Sequence, residues 1–229
     1  MLNFGITFKR LMIFSISTVF LINLLQTVSA ETDTEENAAN IDLLWMLICA
    51  VLVFMMQAGF MCLESGIIRN KNNINVALKN ISDFGISTVC YWMVGYGFMF
   101  GASKSGFVGL DNFLFDPSGA AASGPAMTFF IFQSMFCATA ASIISGAVAE
   151  RLKFNSYLII TALVGTILYP VIGHWSWANS DDNYGGDLST GWLYDLGFVD
   201  FAGSTVVHST GGWIGLAIIL IIGPRSGRF

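Results

Sequence analysis

Five stretches of about twenty mostly apolar residues recur along this chain, at roughly 41–62, 81–101, 126–148, 154–173 and 204–223. At 1.5 Å rise per residue, each is long enough to cross the hydrocarbon core of a bilayer with some tilt. The runs therefore read as membrane helices, and the expected fold class is all-α, a polytopic membrane helix bundle. Composition agrees: 55% of residues are hydrophobic and 11% charged, against roughly 45–50% and about 25% in ordinary globular domains. Such a chain is an unpromising partner for nucleic acid. Cys49, Cys62, Cys90 and Cys137 each lie inside an apolar run, where a thiol behaves as a small hydrophobe, and no metal-ligand spacing links them. Neither a disulfide framework nor a metal site is expected, and no cofactor.

The first thirty residues have their own layout. Lys9 and Arg10 precede an apolar core from Leu11 to Leu25, and Val28-Ser29-Ala30 stands ahead of an acidic polar stretch. That is the pattern of a secretory signal peptide at 1–30, cleaved after Ala30, followed by a polar extracytoplasmic segment at 31–40. The competing reading is an uncleaved first membrane helix. With a mature N-terminus outside and five spans, the loops beginning near Ile67, Glu150 and Pro224 face the cytoplasm. The charges agree, because Arg69, Lys71, Lys79, Arg151, Lys153, Arg225 and Arg228 read as belonging to those loops, whereas the outer segments hold only Lys104. Acid collects on the outer side instead, at Glu31, Asp33, Glu35, Glu36, Asp111, Asp116, Asp181, Asp182, Asp187 and Asp195. A negative outer face concentrates small cations, although acidic loops are also ordinary solvated surface. The expected location is a cell (inner or plasma) membrane, crossed several times.

Two outer loops are long for a helix bundle. Residues 102–125 carry an Asp-Pro turn signal, and "HWSWANSDDNYGGDLSTGWLYDLGFVD" carries three tryptophans. Loops of that length often build binding mouths, while Trp175, Trp177 and Trp192 also suit an interfacial aromatic belt.

Ionisable residues beside the last run carry most of the chemistry. Asp200 precedes the fifth span, where a carboxylate accepts the free N–H groups of a first helical turn and complements the helix dipole. A cation-orienting role is compatible with that cap. His208 lies about 12 Å deeper on the same helix. Intramembrane ionisable groups are costly and usually face a bundle interior, a cavity or a proton relay, and imidazole passes protons near neutral pH. Ser204 and Gly212 share its face at i±4, while Gly211 and Gly215 form a small-xxx-small pair suited to close helix contact. In the third span Phe132 and Phe136 stand one turn apart, an arrangement equally open to core packing, lipid contact or gating. Glu64, near the end of the first span, reads as a snorkelling acid or a helix–helix hydrogen bond. No nucleophile, base and orienter set is visible, so an enzyme is not expected.

Four stretches, "QAGFMCLESGIIRNKN", "FQSMF…SGAVAERLKF", "YPVIGHWSW" and "DFAGSTVVHSTGG", with "GPRSGRF" closing, occur in the order in which they occur in ammonium transporters of the Amt/Mep/Rh type. The chain resembles that family over nearly everything after residue 30. The resemblance implies a fold of two inverted five-helix repeats, of which residues 41–229 would be the first. It implies transport of ammonium or ammonia, with methylammonium a further candidate substrate, through a pore in each subunit of a homotrimer. It makes Trp177 the tryptophan that receives NH4+ in an outer vestibule, Asp200 the acid of that recruitment site, Phe136 the outer gate with Phe132 one turn away, and His208 the first of two paired pore histidines. The second pore histidine and second gate phenylalanine belong to the other repeat, so the chain is expected to be a fragment, a truncated frame, or a half completed by another chain. An ammonium-sensing membrane domain without net transport is the alternative. Lipid and a cytoplasmic regulator are the other implied partners.

Overall fold

In the computed structural model the residues described are 4–119, 123–179, 190–225 and 227, with side chains described for 34–118, 124–179, 190–225 and 227. The candidate leader at 1–30 and the acids Glu31, Asp33, Asp181, Asp182 and Asp187 have side chains outside the described residues. The chain divides into two compact units, 1–45 and 46–229. The first is helical from residue 4, and the second holds the candidate site.

Every described element is helical. Helix α1 (Phe4–Ile67) is followed by α2 (Asn73–Cys90), which passes through a π-helical turn (Tyr91–Gly95) into α3 (Tyr96–Phe100). Then come α4 (Ser123–Val148), α5 (Phe154–Leu163), a second π turn (Val164–Leu168), α6 (Tyr169–Trp177) and the short α7 (Trp192–Asp195). A third π segment (Ser204–Ser209) opens α8 (Thr210–Ile222). Among the described residues, four helical stretches are long and apolar enough to span: Thr34–Ile67, Gly124–Val148, Phe154–Trp177 and Ser204–Ile222. The expected second span, 81–101, falls on a continuous helical rod at 73–100, roughly 40 Å long, which is not among these four. It is less apolar because Lys79, Asn80, Asp83 and Ser87 are buried within α2.

Two boundaries differ from the expectation. Lys79, counted with the loop cations, lies inside α2 and is 1% exposed, because α2 begins at Asn73 rather than near 81. His174, assigned to an outer segment, lies inside α6 and is wholly buried. The helix continues past Gly173 to Trp177 although Pro170 interrupts it. Proline has no N–H and crowds the carbonyl one turn back, and the π turn at 164–168 directly before it absorbs that defect. The two inner π turns meet at glycine: a Cβ on Gly95 would strike the Gly165 carbonyl, and one on Gly165 would lie 3.0 Å from the Ser87 carbonyl.

Helix α4 is the axis of the bundle. Its small residues Ala138, Ala140, Ala141, Ser142 and Ser145 are all buried, which lets neighbouring backbones approach closely. Large apolar side chains such as Val51, Leu52, Met55, Leu220 and Ile221 point outward, the inverse of a water-soluble surface. The helix ends that carry arginine meet at one end of the bundle. Glu150 accepts hydrogen bonds from Arg69 Nε (2.9 Å) and Asn72 Nδ2 (2.8 Å), with Arg225 3.8 Å away, while Arg151 donates to the Gly223 carbonyl at 3.0 Å. The Arg69 and Asn72 side-chain hydrogen bonds hold the Glu150 carboxyl down to about 2.

Candidate functional site

At the opposite end a recess of about 350 Å³ opens among the end of α6, the upper part of α4 and the segment leading to α8. Helix α4 contributes Phe132, Gln133 and Phe136, α6 contributes Ser176 and Trp177, and the 198–201 segment supplies Asp200 and exposed Phe201 at the rim. The Phe132 and Phe136 rings sit edge to face at 4.8 Å, as their i, i+4 spacing allows. Phe136 in turn meets Trp177 at 5.6 Å. Three aromatic rings thus form a continuous wall.

Asp200 has both carboxylate oxygens occupied. Oδ1 accepts the N–H groups of Gly203 and Ser204 at 3.0 Å each, and Oδ2 accepts those of Thr205 (2.9 Å) and Val206 (2.8 Å). This is the helix cap expected from its position, extended to four donors. Burial pushes the carboxyl up, but the backbone donors of Val206, Thr205 and Gly203 and the Ser204 hydroxyl outweigh it and hold it below the usual carboxylate range. The Asp200 backbone carbonyl accepts the Trp177 indole N–H at 2.6 Å, fixing that ring at the recess wall.

Gly203 joins this cap to the histidine. Its N–H goes to Asp200, and its carbonyl accepts the His208 Nδ1–H at 3.0 Å. Only glycine suits the position, because φ is +86° and a Cβ would strike Val207. The neutral tautomer with its proton on Nδ1 has its lone pair on Nε2. The ring does not enter the recess. It stands exposed in a separate open groove with Ser204, Ser209, Gly212, Trp213 and Leu216.

The glycines divide the helix as their spacing suggests. A Cβ on Gly211 would lie 2.9 Å from the Ala140 carbonyl, and one on Gly215 would lie 2.9 Å from the Ala147 side chain, so both press against α4. Gly212 has open space. The structure therefore brings together Trp177, Asp200, Phe136 and Phe132, and sets His208 on a different surface linked to them through Gly203. Residues that sequence reasoning missed are Gly203 and the recess-lining Gln133, Asn179 and Tyr194. Gly203 alone left a signal, as a glycine inside the capping segment. Trp175 and Trp192 pack on each other at 5.8 Å, and Phe107 stacks on Trp192 at the same distance, an aromatic cluster away from the recess lining.

Comparison with known proteins bears on the family and the fold. The model of the family described as Ammonium Transporter Family matches residues 44–229. The Synechocystis sp. protein sll0537, described as a candidate ammonium transporter, is 55% identical over 191 residues, covering 83% of this chain and 35% of its own length. Ammonium transporter Amt2 of Archaeoglobus fulgidus is 40% identical over 203 residues, covering 87% of this chain and 42% of its own. Among solved structures, one entitled "Sensor Amt Protein" superposes with a TM-score of 0.77 at 44% identity, covering 83% of this chain and 46% of the other. The chain thus spans less than half the length of each of these proteins.

Proposed function

The chain belongs to the ammonium transporter family, and from that premise we propose that it forms the recruiting half of an ammonium transport pathway. Its fold is all-α and superposes on a solved Amt structure, and we read it as the five-span first repeat of that architecture. The observation that carries the proposal is the pinned arrangement of Trp177, Phe136 and Phe132 around one recess, tied through the Asp200 cap and Gly203 to His208.

The mechanism follows from the chemistry of these groups. An ammonium ion entering the recess meets the π-face of Trp177, worth about 0.5–2 kcal/mol for a cation of that size. Ionised Asp200, saturated by backbone donors, does not coordinate it but adds negative potential and holds the indole. The Phe132–Phe136 pair closes the way inward to anything hydrated. Taking a charge into a dry passage costs several kcal/mol even after relaxation. Ammonium avoids that cost by handing its proton to water in the recess and entering as ammonia, while the proton follows separately by way of the His208 imidazole. A potassium ion has no proton to give and is rejected. Beyond the gate, the Nε2 lone pair of His208 accepts a hydrogen bond or a proton. Methylammonium fits the same scheme.

We assign the recess to the outside and the arginine-rich end to the cytoplasm, on the distribution of basic residues. The His208 groove is assigned to contact with a second five-helix half, within a homotrimer embedded in lipid. That assignment gives an exposed, pre-oriented imidazole between glycine and serine a wall to complete. No enzymatic step is proposed.

A second reading, ammonium sensing without net flux, is favoured by the 44% identity to the structure entitled as a sensor. One experiment separates the two. The intact protein is reconstituted in liposomes, and ammonium-dependent current and internal pH change are recorded for wild type and His208→Ala. Transport predicts flux in the wild type and at least a tenfold loss in the variant. Equal flux in both overturns the role of His208, and ammonium binding without flux replaces transport by sensing.

A further inference from the structure

Behind α4, away from both the recess and the His208 groove, three ionisable side chains are buried together. Glu64 of α1 is 3% exposed, Lys79 of α2 is 1% and Asp83 of α2 is 0%. Glu64 Oε2 accepts hydrogen bonds from Asn80 Nδ2 at 3.0 Å and Ser145 Oγ at 2.8 Å. Asp83 accepts the Tyr157 hydroxyl and lies 3.3 Å from Ser142 Oγ. The Lys79 ammonium stands 5.0 Å from the centre of the Tyr157 ring, within Coulomb reach of both acids, and the two acids are within reach of each other. The facing groups from the other packed helices are uncharged: Gln57 of α1, Ser142 and Ser145 of α4, and Tyr157 of α5.

Fully ionised, this cluster would carry a net charge of −1 inside the membrane-spanning part of the bundle. An unbalanced buried charge costs several kcal/mol, and two carboxylates sharing one site resist ionising together. A second observation points the same way. Glu64 Oε1 is buried and makes no well-formed hydrogen bond, with the Gly146 backbone N–H the one further donor near the carboxyl, an arrangement costlier for a charged oxygen than for a neutral acid.

We infer that Glu64, Lys79 and Asp83 form a buried proton-binding site that holds one proton at neutral pH. One of the two carboxyls holds that proton, Lys79 stays an ammonium, and the cluster is neutral. It is a binding site for H+ distinct from His208, and it does not depend on the ammonium reading. Its position fits the fold: Ser142 and Ser145 face it from α4, while Ala140 and Ala147 of the same helix receive Gly211 and Gly215.

The test counts protonated carboxyls by infrared spectroscopy. The intact protein is purified in a maltoside detergent, which has no ester carbonyl, and the acid C=O stretch that shifts slowly in heavy water is measured at pH 7. The wild type is expected to show one equivalent. Glu64→Gln or Asp83→Asn should each show none, because the remaining carboxyl then ionises against Lys79. Lys79→Met should show two. Helix content by circular dichroism checks that each variant folds, and the wild-type count stands whichever of them fails. No acid band in the wild type, two equivalents there, or a band surviving both carboxyl substitutions overturns the proposal.

Discussion

His174 and His208 are the two histidines of this chain, and the fold holds them in the same way. Each donates Nδ1–H to a backbone carbonyl, Met99 at 2.8 Å for one and Gly203 at 3.0 Å for the other. In the neutral tautomer that makes this bond, the lone pair lies on Nε2. Their surroundings are opposite. His174 is wholly buried with Nε2 unpartnered, whereas His208 stands exposed in an open groove. A sealed, tethered ring clamps α6 to the end of α3. An exposed ring held just as firmly has its orientation set in advance, as the proposed binding role requires.

The comparison breaks or sharpens through stability, from the largest effect to the smallest. Replacing His174 by alanine removes a buried hydrogen bond and opens a cavity, and should cost about 3 kcal/mol or more in denaturation of the detergent-solubilised protein. Gly211→Leu should cost about 1–3 kcal/mol, since the new side chain meets the α4 backbone, while Gly212→Leu one residue on should cost almost nothing. Asp200→Ala removes the four-donor cap and should cost about 0.5–2 kcal/mol. The Asp200 contribution carries a pH signature of definite sign. Its carboxyl lies lower in the folded state than the unfolded value of about 3.9. The stabilisation is therefore present above pH ~4 and is lost as pH falls through the folded value, a slope that Asp200→Ala should lack. His208→Ala should change stability by less than about 0.5 kcal/mol. If His208→Ala destabilised as much as His174→Ala, the distinction between clamp and binding group would collapse.

Much of this was legible in the residues. The length of the apolar runs gave the spans, the position of Asp200 ahead of a helix gave the cap, and i, i+4 spacing gave the contact of Phe132 with Phe136. The four-residue repeat of Gly211 and Gly215 gave the close contact with a neighbouring helix. Other features were not legible. Lys79 looked like a loop cation because its partners, Glu64 and Tyr157, are far away in sequence or on other helices. Glu64 was left between snorkelling and a helix–helix hydrogen bond, and the bonds from Asn80 and Ser145 decide for the second. Glu150 drew notice only as the start of a loop, yet it gathers Arg69 from 81 residues away, with Arg225 beside it.

Run lengths, charge placement and helical periodicity are one-dimensional quantities, and the bilayer turns them directly into spans. The sequence by itself therefore determined an all-helical membrane chain with its basic helix ends gathered on one side. Which face of each helix is covered depends on side chains brought in from distant positions, and only the tertiary structure supplies those. That is why packing alone made one histidine a clamp and left the other open to a partner.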